Sequence, residues 1–231
     1  MRRFPTTRRA TQYLLLFARF PEEGVVKTRL AAEIGAAAAA SLYRAMLLDL
    51  LDEIAGGDSG IEVEVLWTSK ETPSGADLLQ TFGERHLCMQ TGKDLGERLT
   101  VAFSERIVFH GAEKLIAIGA DEPMLTRADV ERAFRILDGC DWVMGPAEDG
   151  GYWMIGCRSD SFHPSIFEKI DWGTSTVFRE TEASIRALGE TLALFPCRYD
   201  VDRIEDLRRL KSDPPPRAAR LRQFLAEWEE R

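Results

Sequence analysis

No apolar run in this chain is long enough to cross a membrane, which excludes a helical span. Cysteine is scarce. Cys88, Cys140, Cys157 and Cys197 form no CxxC pair and no zinc spacing, so a zinc module is excluded. Each lies in or beside an apolar run, and all are expected to be small buried hydrophobes in a reducing cytoplasm. No Pro/Gly/Ser-rich linker, internal repeat or low-complexity tract beyond Ala36–Ala40 divides the 231 residues. Neither a Walker A loop nor a GxGxxG fingerprint is present, so neither ATPase nor NAD chemistry is indicated. Net positive charge is also missing. The balance is −8, from 38 acidic and 30 basic residues, which argues against nucleic-acid binding over the whole surface. A local basic loop or a metal can still hold an anionic substrate. The basic opening Met1–Arg9 is followed by no signal-peptide core, because the next apolar run, Tyr13–Phe17, is strand-length. Residues 1–12 read as a loose arm with no targeting role, and 13–231 as one domain.

What is present alternates strand with helix. Apolar runs at Tyr13–Ala18, Ile61–Trp67, His86–Gln90, Leu115–Gly119, Trp142–Gly145, Tyr152–Gly156 and Thr191–Phe195 predict strands. Helical patterns occupy 36–55 (ended by Gly56-Gly57), 94–109, 126–138, 175–188 and 204–210, with a charged helix after Pro214-Pro215-Pro216. Residues 73–82 read as loop and a short helix. Such alternation implies a mixed, mainly parallel sheet covered on both faces, a three-layer α/β/α domain.

The most informative stretch is Leu115-Ile116-Ala117-Ile118-Gly119-Ala120-Asp121-Glu122-Pro123. A buried parallel strand ends in glycine and then presents two carboxylates, where open α/β sheets bind ligands. A hard divalent cation, Mg²⁺ or Mn²⁺, needs such oxygen donors on a rigid element, which makes Asp121 the leading metal and catalytic candidate. Thr126 is the better cap for the next helix.

Four further segments carry chemistry. In the loop 19–29, Gly24 permits a tight turn and Lys27 and Arg29 can bind phosphate; a plain solvated turn fits equally. In 145–153, Glu148, Asp149, Gly150, Gly151, Tyr152 and Trp153 share a turn. Exposed aromatics there suit a sugar or nucleotide ring, and Asp-Gly also signals a hairpin. Asp149 could act as a base on an acceptor hydroxyl. In 199–207, Asp200 and Asp202 share one side of an extended segment; Asp202 could instead cap the following helix with Glu205. Asp94 could hold a phosphate or base at a helix start, or be a plain cap with Glu97.

Taken together, FARFPEEGVVKTRL (Phe17–Leu30), DLGERL (Asp94–Leu99), GADEPMLT (Gly119–Thr126), GPAEDGGYWMIG (Gly145–Gly156) and YDVDRIEDL (Tyr199–Leu207) resemble the GT-A-type nucleotide-diphospho-sugar transferases. The resemblance is strongest to a family of small bacterial transferases that includes arsenosugar-biosynthesis glycosyltransferases. It implies a single GT-A-like (Rossmann-like) domain whose N-terminal half binds the nucleotide and whose C-terminal half binds a small acceptor. The chain also resembles the 2-phospholactate guanylyltransferases, which carry Lys-Ser-Arg-Leu where this chain has Lys27-Thr28-Arg29-Leu30. By that analogy Lys27 and Arg29 contact phosphates, and Asp121 and Asp202 ligate the metal. Glu122 replaces the usual Ser or Thr, which predicts an altered metal shell, and Arg203-Ile204 replaces Thr-Pro. The Asp-x-Asp motif of many glycosyltransferases is absent. The resemblance implies glycosyl transfer, with nucleotidyl transfer as the alternative and a non-catalytic nucleotide-binding domain as the rival; self-association as a homodimer stays open.

Overall fold

The computed structural model describes residues 10–55 and 60–229. Most of the expected N-terminal arm and the expected helix stop at Gly56-Gly57 lie outside them. Seven strands form one sheet: β1 (Gln12–Arg19), β2 (Ile61–Thr68), β3 (His86–Met89), β4 (Lys114–Gly119), β5 (Trp142–Pro146), β6 (Tyr152–Arg158) and β7 (Leu192–Leu194). Their order is β3-β2-β1-β4-β6-β5-β7. Only β6 runs antiparallel, paired with β4 on one side and β5 on the other. The sheet is mixed and mostly parallel, as the pattern implies. β1 begins at Gln12, one residue before the boundary expected of the arm.

Strand alternation divides the core. Leu14, Leu16, Ile116 and Ile118 face α2 (Ala36–Ala55), α3 (Gly75–Phe82) and α5 (Arg127–Ile136). Leu15, Leu115, Ala117 and Met144 face α4 (Leu95–His110) and α6 (Val177–Ala187). A third cluster packs α1 (Thr28–Ile34), α7 (Ile204–Ser212) and α8 (Ala219–Glu227) against the outer side of α2. That double burial explains why α2 is apolar around most of its circumference. One charge in α2 is also buried: Asp49 accepts the Leu221 backbone N–H at 2.8 Å and pairs with Arg220, fixing the start of α8.

Register places the site. Phe17 pairs with Gly119, Arg19 with Thr68, and Trp67 with Met89, so the carboxyl ends of β1, β2, β3 and β4 share one edge. Tyr152, which opens the reversed β6, lies on the same edge beside Pro146. The chain leaving β7 also emerges there, because β7 is parallel to β5.

Two local readings are corrected, and one buried charge was not foreseen. The loop after β1 ends at Thr28, where α1 begins, so Arg29 is helical; a seven-residue helix between a turn and Gly35 is too short for a clear period. Cys157 is buried as expected, but Cys197 is exposed on the segment leaving β7. Glu64 of β2 is buried and pairs with Arg106 of α4 at 2.5 Å.

Candidate functional site

The turn after β1 reverses at Glu22, whose carbonyl accepts Val25 N–H and Val26 N–H. Gly24 sits at φ +73°, a conformation that favours glycine. The turn then buries Val26 and delivers Lys27 as the residue capping α1. Lys27 has φ +49°, a left-handed conformation costing about 1–3 kcal/mol for a non-glycine residue. The surroundings hold it there. Its side chain is 2% exposed, and Nζ lies 2.5 Å from Asp121 Oδ1 and 3.2 Å from Asp202 Oδ1. Burial alone would lower the ammonium's pKa; the two carboxylates outweigh it and leave it raised. Tyr43 of α2 lies beneath, its hydroxyl accepting the Arg19 backbone N–H at 2.8 Å. Burial, with the Asp121 charge, pushes that phenol up, so it stays neutral.

Asp121 and Asp202 meet because their backbones do. Val201 N–H donates to the Asp121 carbonyl at 3.2 Å. Asp202 is not the helix cap. Arg203 occupies that position, and Asp206 accepts the backbone N–H of both Asp202 and Arg203. The Asp202 carboxylate is thereby free for Lys27, with Arg29 at 3.7 Å. Sequence reasoning placed Asp200 beside Asp202 without a role. The structure gives Asp200 a pKa of about 7, through burial first and then the charges of Asp121, Asp149 and Asp202, partly offset by Lys27.

The other candidates fall around this cluster. Asp94 caps α4, accepting Glu97 N–H at 2.9 Å, so the plain-cap role holds; with it the β3–α4 turn reaches the β1 and β2 tips through Gln90, which donates to the Ala18 and Leu66 carbonyls. In the 146–152 hairpin, Asp149 is exposed and accepts Gly151 N–H at 2.8 Å. Glu148 is exposed and pairs with Arg209 at 3.0 Å. Gly150, at φ +92°, touches the segment before α6; a β-carbon there would fall 2.1 Å from the Ser175 carbonyl oxygen. Tyr152 and Trp153 are not the exposed aromatics expected. Trp153 is 3% exposed, packed on Phe195, and the Tyr152 hydroxyl is buried. Gly145 explains the indole's position, since a β-carbon would fall 2.2 Å from its ring. Glu122 also departs from expectation. Its buried carboxylate accepts Met124 N–H and pairs with Arg198 at 3.0 Å instead of joining Asp121. Arg198 and the Trp172–Thr176 segment were not singled out in the sequence, where nothing marks their proximity to the edge.

Among the described residues, no group of three or more His, Cys, Asp or Glu stands ready to hold a metal. The donor set nevertheless fits a hard cation in kind. Asp121 and Asp202 already converge on one positive charge, the Lys27 ammonium, and Asp200 lies near enough to feel the charges of both carboxylates.

The raised Asp200 carboxyl has a stability consequence. An unfolded Asp titrates near ~3.9, so between that pH and about 7 the folded state holds more protons. Stability contributed by this group is therefore lost as pH rises through that window. Urea midpoints at pH 5 and pH 8 should show a smaller decline for Asp200→Asn than for wild type; equal declines remove this coupling.

Comparison with known proteins agrees with this geometry. Residues 53–174 match the model of a family described as "Uncharacterized protein conserved in bacteria (DUF2064)", a stretch that contains Asp121 and the hairpin. A protein of Phenylobacterium zucineum described as 3-phospho-D-glycerate guanylyltransferase is 28% identical over 193 residues, 81% of this chain and 85% of its own. A solved structure from Desulfovibrio desulfuricans G20, described as a "putative nucleotide-diphospho-sugar transferase", is 30% identical with a TM-score of 0.85, covering 94% of this chain and 98% of its own. A cytidylyltransferase from Leptospira borgpetersenii shares the fold at 13% identity and a TM-score of 0.55, covering 94% and 92%. No helix among the described residues is long and apolar enough to cross a membrane. A mostly parallel sheet with its charged cluster at the carboxyl edge and these relatives lead to one assignment: the chain belongs to the DUF2064 family, within the nucleotide-diphospho-sugar transferase superfamily, and is a transferase.

Proposed function

We propose that the protein is a cation-dependent nucleotidyltransferase that joins a nucleoside monophosphate unit to a small acidic acceptor. The observation that carries this reading is the buried Lys27 ammonium held between Asp121 and Asp202 at the carboxyl edge. A guanylyltransferase among the relatives supports it and suggests GTP and a phosphorylated hydroxy acid as first substrates. Glycosyl transfer is the second reading, favoured by the description of the Desulfovibrio relative.

Asp121 and Asp202, with Asp200 beside them, would hold Mg²⁺ or Mn²⁺. Such an ion offsets charge on phosphate oxygens. Lys27 and Arg29 would add fixed positive charge on the triphosphate, stabilising what develops as an acceptor oxygen attacks the α-phosphorus and pyrophosphate departs. Gly24 shapes their turn, and Asp94 fixes the α4 start on the same edge. The hairpin residues 148–151 would border the acceptor, while Tyr152 and Trp153 support it from the core. Where the acceptor attacks through a hydroxyl, Asp149 would accept its proton; an ionised phosphate oxygen needs no base.

The test is a panel of nucleoside triphosphates with phosphorylated hydroxy acids, and of nucleotide sugars, each with and without Mn²⁺. Cation-dependent pyrophosphate release with the nucleoside monophosphate joined to the acceptor, through a phosphoanhydride where its phosphate attacks or a phosphodiester where its hydroxyl does, supports nucleotidyl transfer. Release of nucleoside diphosphate from a nucleotide sugar moves the assignment to glycosyl transfer.

Two substitutions divide the cleft. Arg29→Ala should weaken nucleotide affinity roughly tenfold or more, since a charge-assisted contact contributes about 1.5–3 kcal/mol; calorimetry within twofold of wild type reassigns Arg29 to a solvent-facing role. With an acceptor that attacks through a hydroxyl, Asp149→Asn should lower kcat about 10²–10⁴-fold with nucleotide affinity nearly constant, as expected for a base acting in the transition state. Loss of affinity with kcat intact would put the hairpin on the nucleotide side.

A further inference from the structure

We propose that Arg198 is a positioning residue, a clasp that holds the segments bearing Asp121 and Asp202 in place to share one cation, with the hairpin that bears Asp149 fixed beside them. The inference rests on reading Asp121 and Asp202 as cation ligands.

Arg198 is anchored at every face. One guanidinium nitrogen lies 3.0 Å from Glu122 and another 2.8 Å from Asp129. The guanidinium carbon lies 4.5 Å from the centre of the Trp153 ring. Its backbone N–H donates to the Pro146 carbonyl at 3.0 Å, and its carbonyl accepts Glu148 N–H at 2.8 Å. Two of these attachments, and Arg198 itself, lie close to the acidic cluster in sequence. Glu122 follows Asp121, Glu148 precedes Asp149, and Arg198 itself is two residues before Asp200.

The arrangement answers a physical need. Carboxylates gathered on one edge repel one another, and Lys27 is the buried cation among them. The β4–α5 turn, the hairpin and the segment after β7 must nevertheless keep fixed separations, or the cation loses one of its donors. Arg198 ties these segments together from behind the cluster, with a planar fork that reaches Glu122 and Asp129 at once. Glu122 is too deeply buried to serve the cleft itself, and pairing with Arg198 is what makes its charge tolerable. The residue that departs from the family pattern beside Asp121 thus acts through the clasp.

The test uses the full chain with Arg198→Lys, which keeps the charge but cannot span both acids, and Glu122→Gln as a second variant should the first fail to fold. Hydrogen exchange without metal should accelerate about tenfold or more over residues 199–202 while the β4 core stays protected. Mn²⁺ alone, titrated by calorimetry below the melting temperature, should bind about 10–100-fold more weakly, as for lost outer contacts of a metal site. Unchanged exchange overturns the proposal. So does faster exchange with Mn²⁺ affinity within twofold of wild type, which would make Arg198 a purely structural tie. A wild type that binds no Mn²⁺ removes the cation reading itself and the clasp with it.

Discussion

Asp121→Ala is expected to reduce turnover about a thousandfold and to abolish the cation dependence of nucleotide binding, with the fold retained. Its carboxylate is half exposed at the tip of β4 and contacts Lys27, not the core. The bond that ties the β4 tip to the 199–202 segment uses the Asp121 backbone carbonyl, which alanine keeps. The loss should therefore fall on charge stabilisation, where removing one preorganised group costs roughly 10²–10³-fold and a lost metal costs several kcal/mol more. Because alanine leaves Lys27 with Asp202 alone, Asp121→Asn serves as the milder companion. Calorimetry with and without Mn²⁺, beside pyrophosphate release, gives the reading. A folded variant with unaltered cation dependence would take Asp121 out of the site.

Lys27→Met should be the next most damaging change, lowering kcat roughly 10²–10³-fold and raising nucleotide KM. Methionine fills the channel beside Tyr43 but leaves Asp121 and Asp202 facing each other without their shared cation. Lys27→Arg should not rescue, because a side chain 2% exposed in a left-handed backbone leaves little room for a guanidinium. The raised ammonium carries its charge below its unfolded pKa of about 10.4, so its contribution is lost only as pH rises past that value. No alkaline limb near neutrality should arise from Lys27. If Lys27 serves only as a structural tie, the melting temperature will fall while kcat of the folded fraction holds, and the phosphate role fails.

Much of this was legible along the chain. Apolar runs of strand length, the helical period of 36–55, the cap at Thr126 and the capping pair Asp94–Glu97 are local physics, and the structure places all of them. Gly119 before Asp121 put a carboxylate at a strand tip, because burial of the strand and turn chemistry both act within a few residues.

Where the reading went astray, the deciding contact was distant in sequence. Trp153 looked exposed on a glycine-rich turn, yet the bare α-carbon of Gly145 on the neighbouring strand admits its ring to the core. Glu122 was expected to alter a metal shell, yet Arg198, 76 positions along the chain, takes its carboxylate. Composition and periodicity by themselves determined that this chain forms an α/β domain with acids and cations in the turns after its strands, since each is set by neighbours in sequence. Only the tertiary structure decided that Lys27 lies between Asp121 and Asp202, that Asp200 carries a raised pKa, and that Arg198 secures Glu122. Lys27 and Asp202 are 175 positions apart. The strand order and the single reversed strand bring their turns to one edge, and no local preference encodes that order.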